Sequence, residues 1–240
     1  MRYRERALAH YQKSLSKVQP DVQREGALAA RLYARNFGPH LPARRDAALV
    51  DLGCGFGLFL RYLREAGYTN FQGVDICNGF VEPCKQQGFT VTIEDNLSFL
   101  RRHPDQFDGI NLNYVLEHYD KDSALTLVEE ALVSLRPGGR LIVMVPNMAN
   151  PITAARSRYM DITHEASYTE ESLSYLLEIA GYSQVTCHGV DQFCLPNPLM
   201  NLAGKLAGWC FFKTLRVIYL INAVRSTRIY TKALMAVAVK

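Results

Sequence analysis

The pattern that most constrains the fold is an alternation of short apolar runs with longer amphipathic segments, beginning at Ala47. Five runs of strand length recur over about 100 residues: AALVDLG, FQGVDI, FTVTIED, FDGINLNYV and RLIVMVPN. The segments between them space their apolar residues as helices do, and several end in glycine. Successive parallel strands require crossover connections of this kind. We therefore predict an α/β fold with a doubly wound, mostly parallel sheet and helices on both faces.

Two later segments, SQVTCHGV and KALMAVAVK, extend the predicted sheet to seven strands. A helix before the sixth strand, TEESLSYLLEIAGY, opens with a capping box at Thr169. Residues 1–46 are predicted to form a helical N-terminal cap, and residues 47–240 the α/β domain. That domain is expected to contain an irregular loop at 147–168 and an apolar helical insert at 196–224, before the last strand.

Charge and cysteine content narrow the classes of function. The formal net charge is +4 without a block of like charge, so no nucleic-acid partner is expected. Six cysteines occur without a CxxC pair, which indicates neither a zinc nor a redox site. The start, MRYRERALAHYQ, lacks the apolar core of a signal peptide. We expect a cytoplasmic protein, with the inner face of the membrane as a second location.

The stretch LVDLGCGFGLFL places Gly53, Gly55 and Gly57 directly after the first predicted strand. Ligands of open α/β sheets bind at that edge, where glycines let the backbone approach them. The loop lacks the Gly-Lys-Ser/Thr of a phosphate-binding P-loop, and Leu58 stands where a dinucleotide fingerprint requires glycine. Asp51 would repel a pyrophosphate and suits a cationic ligand group instead. These features argue against a nicotinamide-dependent reductase.

The spacing Asp51-x-Gly53-x-Gly55-x-Gly57 resembles the first motif of the class I S-adenosylmethionine-dependent methyltransferases. Four further stretches resemble that family in type and order over about residues 47–190: VDI, IEDN, FDGINLNYVLEHY and LRPGGRLIVMVPN, with YTEESLSYLLEIAGY following them. The resemblance implies a Rossmann-like methyltransferase domain with S-adenosylmethionine as cofactor.

The resemblance also implies roles for individual residues. Asp75 would bind both ribose hydroxyls and Asp95 the adenine amino group, while Asn113 and Tyr114 would line the methionine end. The predicted cofactor-binding residues are Asp51, Gly53, Gly55, Gly57, Asp75, Ile76, Asp95, Asn96 and Asn113. Two alternatives remain open at this point, because Asp75 could cap its strand and Asp95 could cap the following helix.

Methyl transfer to a hydroxyl requires alignment and a proton acceptor. The predicted general base is His164, with His118 as the second choice and Asp161 orienting His164. The predicted substrate-binding residues are Tyr114, Arg156, Arg158 and Tyr159, the two arginines suiting an anionic acceptor. A packing role for His118 and a solvated surface loop around His164 are the structural alternatives. No metal site is predicted, since one Asp-x-x-His is weak evidence for a divalent ion.

The arrangement DITH…YTEESL resembles methyltransferases associated with cell-envelope polysaccharides and other glycans. We therefore predict an O-methyltransferase acting on a hydroxyl or phosphate of a sugar or glycan, including a lipid-linked one. The alternative is a small aromatic, quinone-like or lipid acceptor. A non-catalytic nucleoside-binding module is less favoured, because the acidic residues and glycines of the motif are intact.

The insert at 196–224 contains no uncharged apolar run near the ~18–20 residues of a membrane-spanning helix. On a helix, Lys205, Lys213 and Arg216 form a basic stripe beside a wide apolar face. Peripheral membrane contact, a homodimer contact, a lid and packing against the core all fit this pattern.

Overall fold

The computed structural model describes Arg6 and residues 22–190, 197–223 and 226–240. Most of the predicted N-terminal cap before Val22 therefore lies outside the described residues, as do both ends of the predicted insert at 196 and 224.

The described strands form one seven-stranded sheet in the order β3-β2-β1-β4-β5-β7-β6. They are β1 (Leu49–Leu52), β2 (Phe71–Asp75), β3 (Val91–Ile93), β4 (Phe107–Asn113), β5 (Leu135–Pro146), β6 (Ser183–Gly189) and β7 (Ala233–Val239). Strands β1 to β5 pair in parallel, while β7 runs antiparallel to both β5 and β6. The predicted α/β class, with a mostly parallel sheet of seven strands, is confirmed.

Helices cover both faces of this sheet. They are α1 (Val22–Asn36), α2 (Leu58–Glu65), α3 (Asn78–Gln86), α4 (Asn96–Arg101), α5 (Lys121–Ser134), α6 (Ala154–Tyr159), α7 (Glu170–Ile179) and α8 (Pro198–Ile221). Helices α1 and α2 enclose one core, in which Phe37 and Phe59 pack against Leu49 of β1. Helices α4, α5 and α7 enclose the second core, which contains Val50 of β1. This alternation along β1 reflects the two-residue period of a strand buried on both faces.

The helix that precedes β5 ends ahead of the Pro-Gly-Gly segment at residues 137–139. Helix α5 begins after Asp120, whose side chain caps it, and ends at Ser134. The Pro-Gly-Gly segment that follows belongs to β5. Its backbone pairs with the chain end, since Gly138 N donates to Lys240 O and Lys240 N donates to Gly139 O. The segment thus ends the helix and also contributes to the sheet, through its pairing with Lys240.

Side-chain hydrogen bonds fix the start of the predicted irregular loop at 147–168, and a backbone bridge joins its first residue to its last. Asn147 Nδ2 donates to the carbonyls of Ile229 and Thr231, and Asn150 Nδ2 donates to that of Tyr230. An isolated parallel bridge joins Asn147 to Tyr168. The loop is therefore fixed beside the end of β5, at the edge of the sheet that carries the glycine loop.

Candidate functional site

The site lies at the carboxyl ends of β1, β2 and β4. Strand β1 pairs with β2 on one side and β4 on the other, so the strand order reverses here. Open α/β sheets bind ligands at such a reversal. The segments that meet there are the glycine loop after β1, the end of β2 at Asp75, and residues 114–118 after β4.

The three loop glycines all have positive φ, at 72°, 50° and 72°, but they serve different ends. A Cβ on Gly53 would lie 2.4 Å from Val115 Cγ2, and one on Gly57 would lie 2.9 Å from Cys84 Sγ. A Cβ on Gly55 would meet no heavy atom of the described chain within 4 Å. Gly53 and Gly57 therefore let the loop pack on the protein, whereas Gly55 borders open space that a ligand can enter.

Asp51 is buried within β1, on the α1 face of the sheet. Asn111 Nδ2 donates to Asp51 Oδ1 at 2.6 Å from the neighbouring strand. Burial raises the pKa of Asp51 from its usual 3.8 to about 7; the hydrogen bond from Asn111 opposes this rise, and the nearby Asp75 charge adds to it. A cationic ligand group would favour the ionised form. The Asp51 carboxylate is therefore suited to a cationic ligand group, as the sequence predicted. Its hydrogen-bond partner Asn111 was not predicted.

Two neighbouring asparagines of β4 present unsatisfied oxygens to the same region. The Oδ1 atoms of Asn111 and Asn113 are buried and have no hydrogen-bond partner within the described ranges. Asn113 Nδ2 donates to the hydroxyl of Tyr33 on α1 at 3.0 Å, so α1 borders the site. Buried acceptors of this kind normally have partners. The alternation Asn-x-Asn in an otherwise apolar strand was the available signal for Asn111.

Asp75 ends β2 and holds the glycine loop in place. Its Oδ2 accepts from Gly55 N at 2.9 Å, and its Oδ1 accepts from Cys77 N at 2.8 Å. The strand-end role left open from the sequence is therefore present. Each carboxylate oxygen retains a second lone pair with which to bind a hydroxyl. Ile76 follows with its side chain about half exposed, as an apolar surface beside this carboxylate.

Asp95 caps a helix, which is the alternative that the sequence left open. Its Oδ2 accepts from Ser98 N at 3.0 Å, and α4 begins at the next residue, Asn96. The Asn96 side chain is buried and contacts the hydroxyl of Tyr119 at 3.4 Å. Contact between Asp95 and an adenine remains a prediction.

The two predicted base candidates, His118 and His164, are neighbours. Their ring centroids lie 4.9 Å apart, with an angle of 67° between the ring planes. His118 belongs to a short 3-10 helix at residues 116–118, and His164 to the loop at 147–168. The structure thus brings together residues from the two segments in which the sequence analysis placed its catalytic candidates.

The predicted orientation of His164 by the Asp161 side chain is corrected. His164 Nδ1 contacts the carbonyl of Ser157 at 2.7 Å. Asp161 Oδ1 accepts instead from the hydroxyl of Thr163 at 2.7 Å, and that hydroxyl contacts His118 Nδ1 at 2.8 Å. The short turn from Asp161 to Thr163 directs the carboxylate to the threonine. Asp161 therefore acts on His118, through Thr163.

Glu117 is a functional candidate that sequence reasoning missed. Its side chain is 2% exposed, and burial raises its pKa from 4.5 to about 8, with a smaller contribution from Asp161. Ligand atoms of Glu117, His118 and His164 lie within 4.8 Å of one another, so these residues could hold a metal ion. The signal was the acidic residue in Leu-Glu-His, directly after a buried strand.

The predicted substrate-binding residues are spread around this region. The Arg158 guanidinium donates to the carbonyl of His164 and lies 5.5 Å from the ring centre of Tyr159. Arg156 and Tyr159 are exposed, Tyr159 by 80%. Tyr114 follows β4 with φ of 56°, an unusual backbone for a non-glycine residue. Arg158 thus stabilises the loop at 147–168 through its hydrogen bond to His164, whereas Arg156 and Tyr159 are accessible to a ligand.

A glycine loop and strand-end carboxylates at a reversal of strand order define a nucleoside-binding α/β protein. Residues 21–187 match the model of the methyltransferase domain family, and the chain belongs to that family. Membership confirms the resemblance to the class I methyltransferases, the enzyme class and, with it, S-adenosylmethionine as methyl donor.

Relatives and solved structures agree with this assignment. The chain is 33% identical over 108 residues, 44% of its length, to a mouse protein described as probable tRNA methyltransferase 9B, of which 23% is covered. It is 33% identical over 137 residues, 57% of its length, to malonyl-[acyl-carrier protein] O-methyltransferase of Enterobacter lignolyticus, of which 49% is covered. The chain therefore matches about a quarter of the length of the first relative and about half of the second.

The fold is also that of a solved structure of low sequence identity. A SAM-dependent methyltransferase from Archaeoglobus fulgidus superposes with a TM-score of 0.65 at 20% identity. The match covers 88% of this chain and 92% of that one. The predicted Rossmann-like methyltransferase fold is confirmed.

Proposed function

We propose that this methyltransferase transfers the methyl group of S-adenosylmethionine to a hydroxyl of a sugar or glycan. The observation that carries the proposal is the His118–His164 pair. A sugar hydroxyl is a poor nucleophile when neutral, and an imidazole can accept its proton. Similarity to an enzyme that methylates oxygen supports oxygen as the acceptor atom.

The donor end of the site is assigned from the polar groups already described. Asp51, with the unsatisfied oxygens of Asn111 and Asn113, would hold the cationic amino acid end of the cofactor. Asp75 would bind the ribose hydroxyls and Ile76 would lie against the base. When bound, the cofactor supplies a methyl group on a positively charged sulfur. The chain's own task is to align the acceptor with it.

The acceptor end is assigned to the loop at 147–168. The carbonyl of Ser157 can only accept a hydrogen bond, so His164 carries its proton on Nδ1 and a lone pair on Nε2. That nitrogen would accept the hydroxyl proton. Exposed Arg156 and Tyr159 offer a cation and an aromatic face to an anionic or uncharged sugar.

Acceptor screening with labelled methyl donor tests this proposal. Envelope glycan fragments, nucleotide sugars, phenols and acyl carboxylates would be compared at equal concentration. We expect labelled methyl groups in the glycan or nucleotide-sugar fractions. A control reaction with wild-type enzyme and no acceptor should give less labelled product. Labelling confined to phenols or carboxylates would replace the glycan assignment with the small-molecule alternative.

We further propose that α8 places the enzyme on an anionic membrane surface. Phe212 and Tyr219 stack on Tyr230, at 5.3 and 6.2 Å between ring centroids, and none of the 24 residues of the helix is buried. Six apolar side chains that are more than half exposed fall within about 80° of the helix circumference: Leu199, Leu202, Leu206, Trp209, Val217 and Leu220.

The charge of α8 favours lipid over a second copy of the chain as the occupant of this apolar stripe. Its three charged residues are all basic: Lys213 falls inside the arc of the apolar stripe, and Lys205 and Arg216 fall within about 40° of one edge of it. A helix of this type lies in the interface with its cations among anionic headgroups. Across the described residues, no helix has both the length and the apolar character needed to cross a bilayer.

Vesicle co-sedimentation tests the membrane proposal. Wild type should bind vesicles containing phosphatidylglycerol more strongly than vesicles of phosphatidylcholine alone. Trp209→Glu should lose this binding, whereas Tyr175→Glu, at an aromatic residue of α7 that is 66% exposed, should keep it. Absence of lipid binding together with concentration-dependent dimers in ultracentrifugation would assign the stripe to a homodimer instead.

A further inference from the structure

The Glu117–His118–His164 cluster comes from two segments that backbone hydrogen bonds hold together. Glu165 N and Ala166 N both donate to the carbonyl of Glu117, at 2.8 and 3.1 Å. His164 is therefore positioned beside the 116–118 helix by the main chain, independently of the side chains in the cluster.

The hydrogen bonds at the two rings place a lone pair on both Nε2 atoms. The hydroxyl of Thr163 gives its proton to Asp161, so it accepts at His118 Nδ1. The carbonyl of Ser157 accepts at His164 Nδ1. Metal-ligating histidines are held in this way, with one nitrogen donating to an oxygen and the other bearing the lone pair.

Glu117 supplies an independent indication of a ligand. Its Oε2 is buried and has no hydrogen-bond partner among the residues that the structure describes. The side chain is 2% exposed. Burying a carboxylate oxygen without a partner is costly, and an ion held between this carboxylate and the two imidazoles would satisfy it.

We propose that Glu117, His118 and His164 form a binding site for one divalent first-row transition metal ion. Ligands about 2.0–2.2 Å from an ion lie no more than about 4.4 Å apart. The ligand atoms of the three side chains lie within 4.8 Å of one another, so small side-chain rotations would bring them to ligand distance from one ion. Two imidazoles and one carboxylate favour manganese, iron, cobalt or zinc over magnesium or calcium, and leave coordination positions for an oxygen ligand.

This inference goes beyond the proposed function, because the nitrogen assigned there as the proton acceptor becomes a ligand when the ion is bound. An ion holding the acceptor oxygen would also ease loss of its proton. Binding of the ion alone requires neither methyl donor nor acceptor. Its measurement is therefore independent of whether the acceptor is a glycan.

Titration of the tag-free, chelator-treated full chain with Co²⁺, followed by visible absorption and calorimetry, tests the proposal. We expect one Co²⁺ per chain, displaced by Zn²⁺ and little affected by Mg²⁺. Glu117→Gln and His164→Gln should each weaken binding by at least about tenfold. Both substitutions leave the backbone hydrogen bonds to the Glu117 carbonyl in place.

A second histidine pair provides a matched control. His40 and His188 have ring centroids 4.8 Å apart, and neither belongs to the cluster. His188→Gln should bind Co²⁺ as wild type does, and thermal melting would confirm that all variants fold. The absence of saturable binding to wild type, or unchanged binding to both cluster variants, would overturn the proposal.

Discussion

Asn111 and Asp51 are register partners on adjacent strands, and a 2.6 Å hydrogen bond from the amide to the carboxylate joins them. The pair lies in the sheet at the point where the glycine loop leaves β1. Burial raises the pKa of Asp51 to about 7, so the charge on the proposed cofactor side of the site changes near neutral pH.

The affinity for S-adenosylmethionine should increase with pH up to about 7 and then level off. Below that pH the Asp51 carboxyl is neutral and attracts the cationic end of the cofactor less strongly. Calorimetric titration between pH 5.5 and 8.5 would measure the effect, which approaches tenfold per pH unit on the acidic side when one proton is released. Asp51→Asn should bind weakly at every pH, and a pH-independent wild type would contradict the assignment.

Stability of the ligand-free protein should respond to Asp51 in the opposite direction. Because the folded pKa lies above the usual 3.8, the contribution of this group is fully present below pH 3.8 and is lost as pH rises through about 7. Asp51→Asn should therefore lose less stability than wild type between pH 5 and 8. Urea unfolding at both pH values checks this, and parallel losses in the two proteins would exclude it.

Substitutions at Gly53 and Gly55 should separate folding from binding. Gly53→Ala drives a methyl group to within 2.4 Å of Val115 and should lower the free energy of unfolding by about 1–3 kcal/mol. Gly55→Ala has no such collision, at φ of 50°, and should cost about 1 kcal/mol while weakening cofactor binding more than tenfold. Thermal melts and calorimetry on both variants measure the contrast. Unchanged cofactor affinity in Gly55→Ala would show that Gly55 does not border the ligand.

Asp75→Ala should weaken cofactor binding by about 1–3 kcal/mol, because it removes the acceptor for the ribose and frees the Gly55 amide. Glu94→Ala is a suitable control, since Glu94 is a nearby acid that pairs with Arg102 outside the proposed site. Calorimetric affinities for the two variants should differ clearly. Similar affinities would remove the ribose role from Asp75.

In chelator-treated enzyme, His164→Gln should lower kcat by about 10²–10⁴-fold, as loss of a general base does, with little change in cofactor affinity. Thr163→Val should have a smaller effect, because it breaks only the connection from Asp161 to His118. Steady-state kinetics with the acceptor found by screening would rank the variants. Full activity in His164→Gln together with an inactive His118→Gln would transfer the role to His118.

Local patterns were sufficient to predict most of the sheet, because strand period, glycine stops and the Asp-x-Gly loop are properties of neighbouring residues. The contacts that shape the site were not accessible in this way. Asn111 and Asp51 are 60 residues apart, and Asn113 and Tyr33 are 80 apart, so both contacts depend on register and on how α1 packs. The proximity of His118 to His164 likewise depends on a loop held by the carbonyl of Glu117.

The contact between Gly53 and Val115 has a mechanical consequence. Val115 occupies the space that any side chain at position 53 would need, so the glycine loop packs closely against the segment that carries Glu117 and His118. If the glycine loop moved toward Val115, the segment that carries Glu117 and His118 would have to move with it. We therefore expect mechanical coupling between the two proposed binding regions: cofactor binding at the glycine loop would fix the position of the side chains that bind the acceptor.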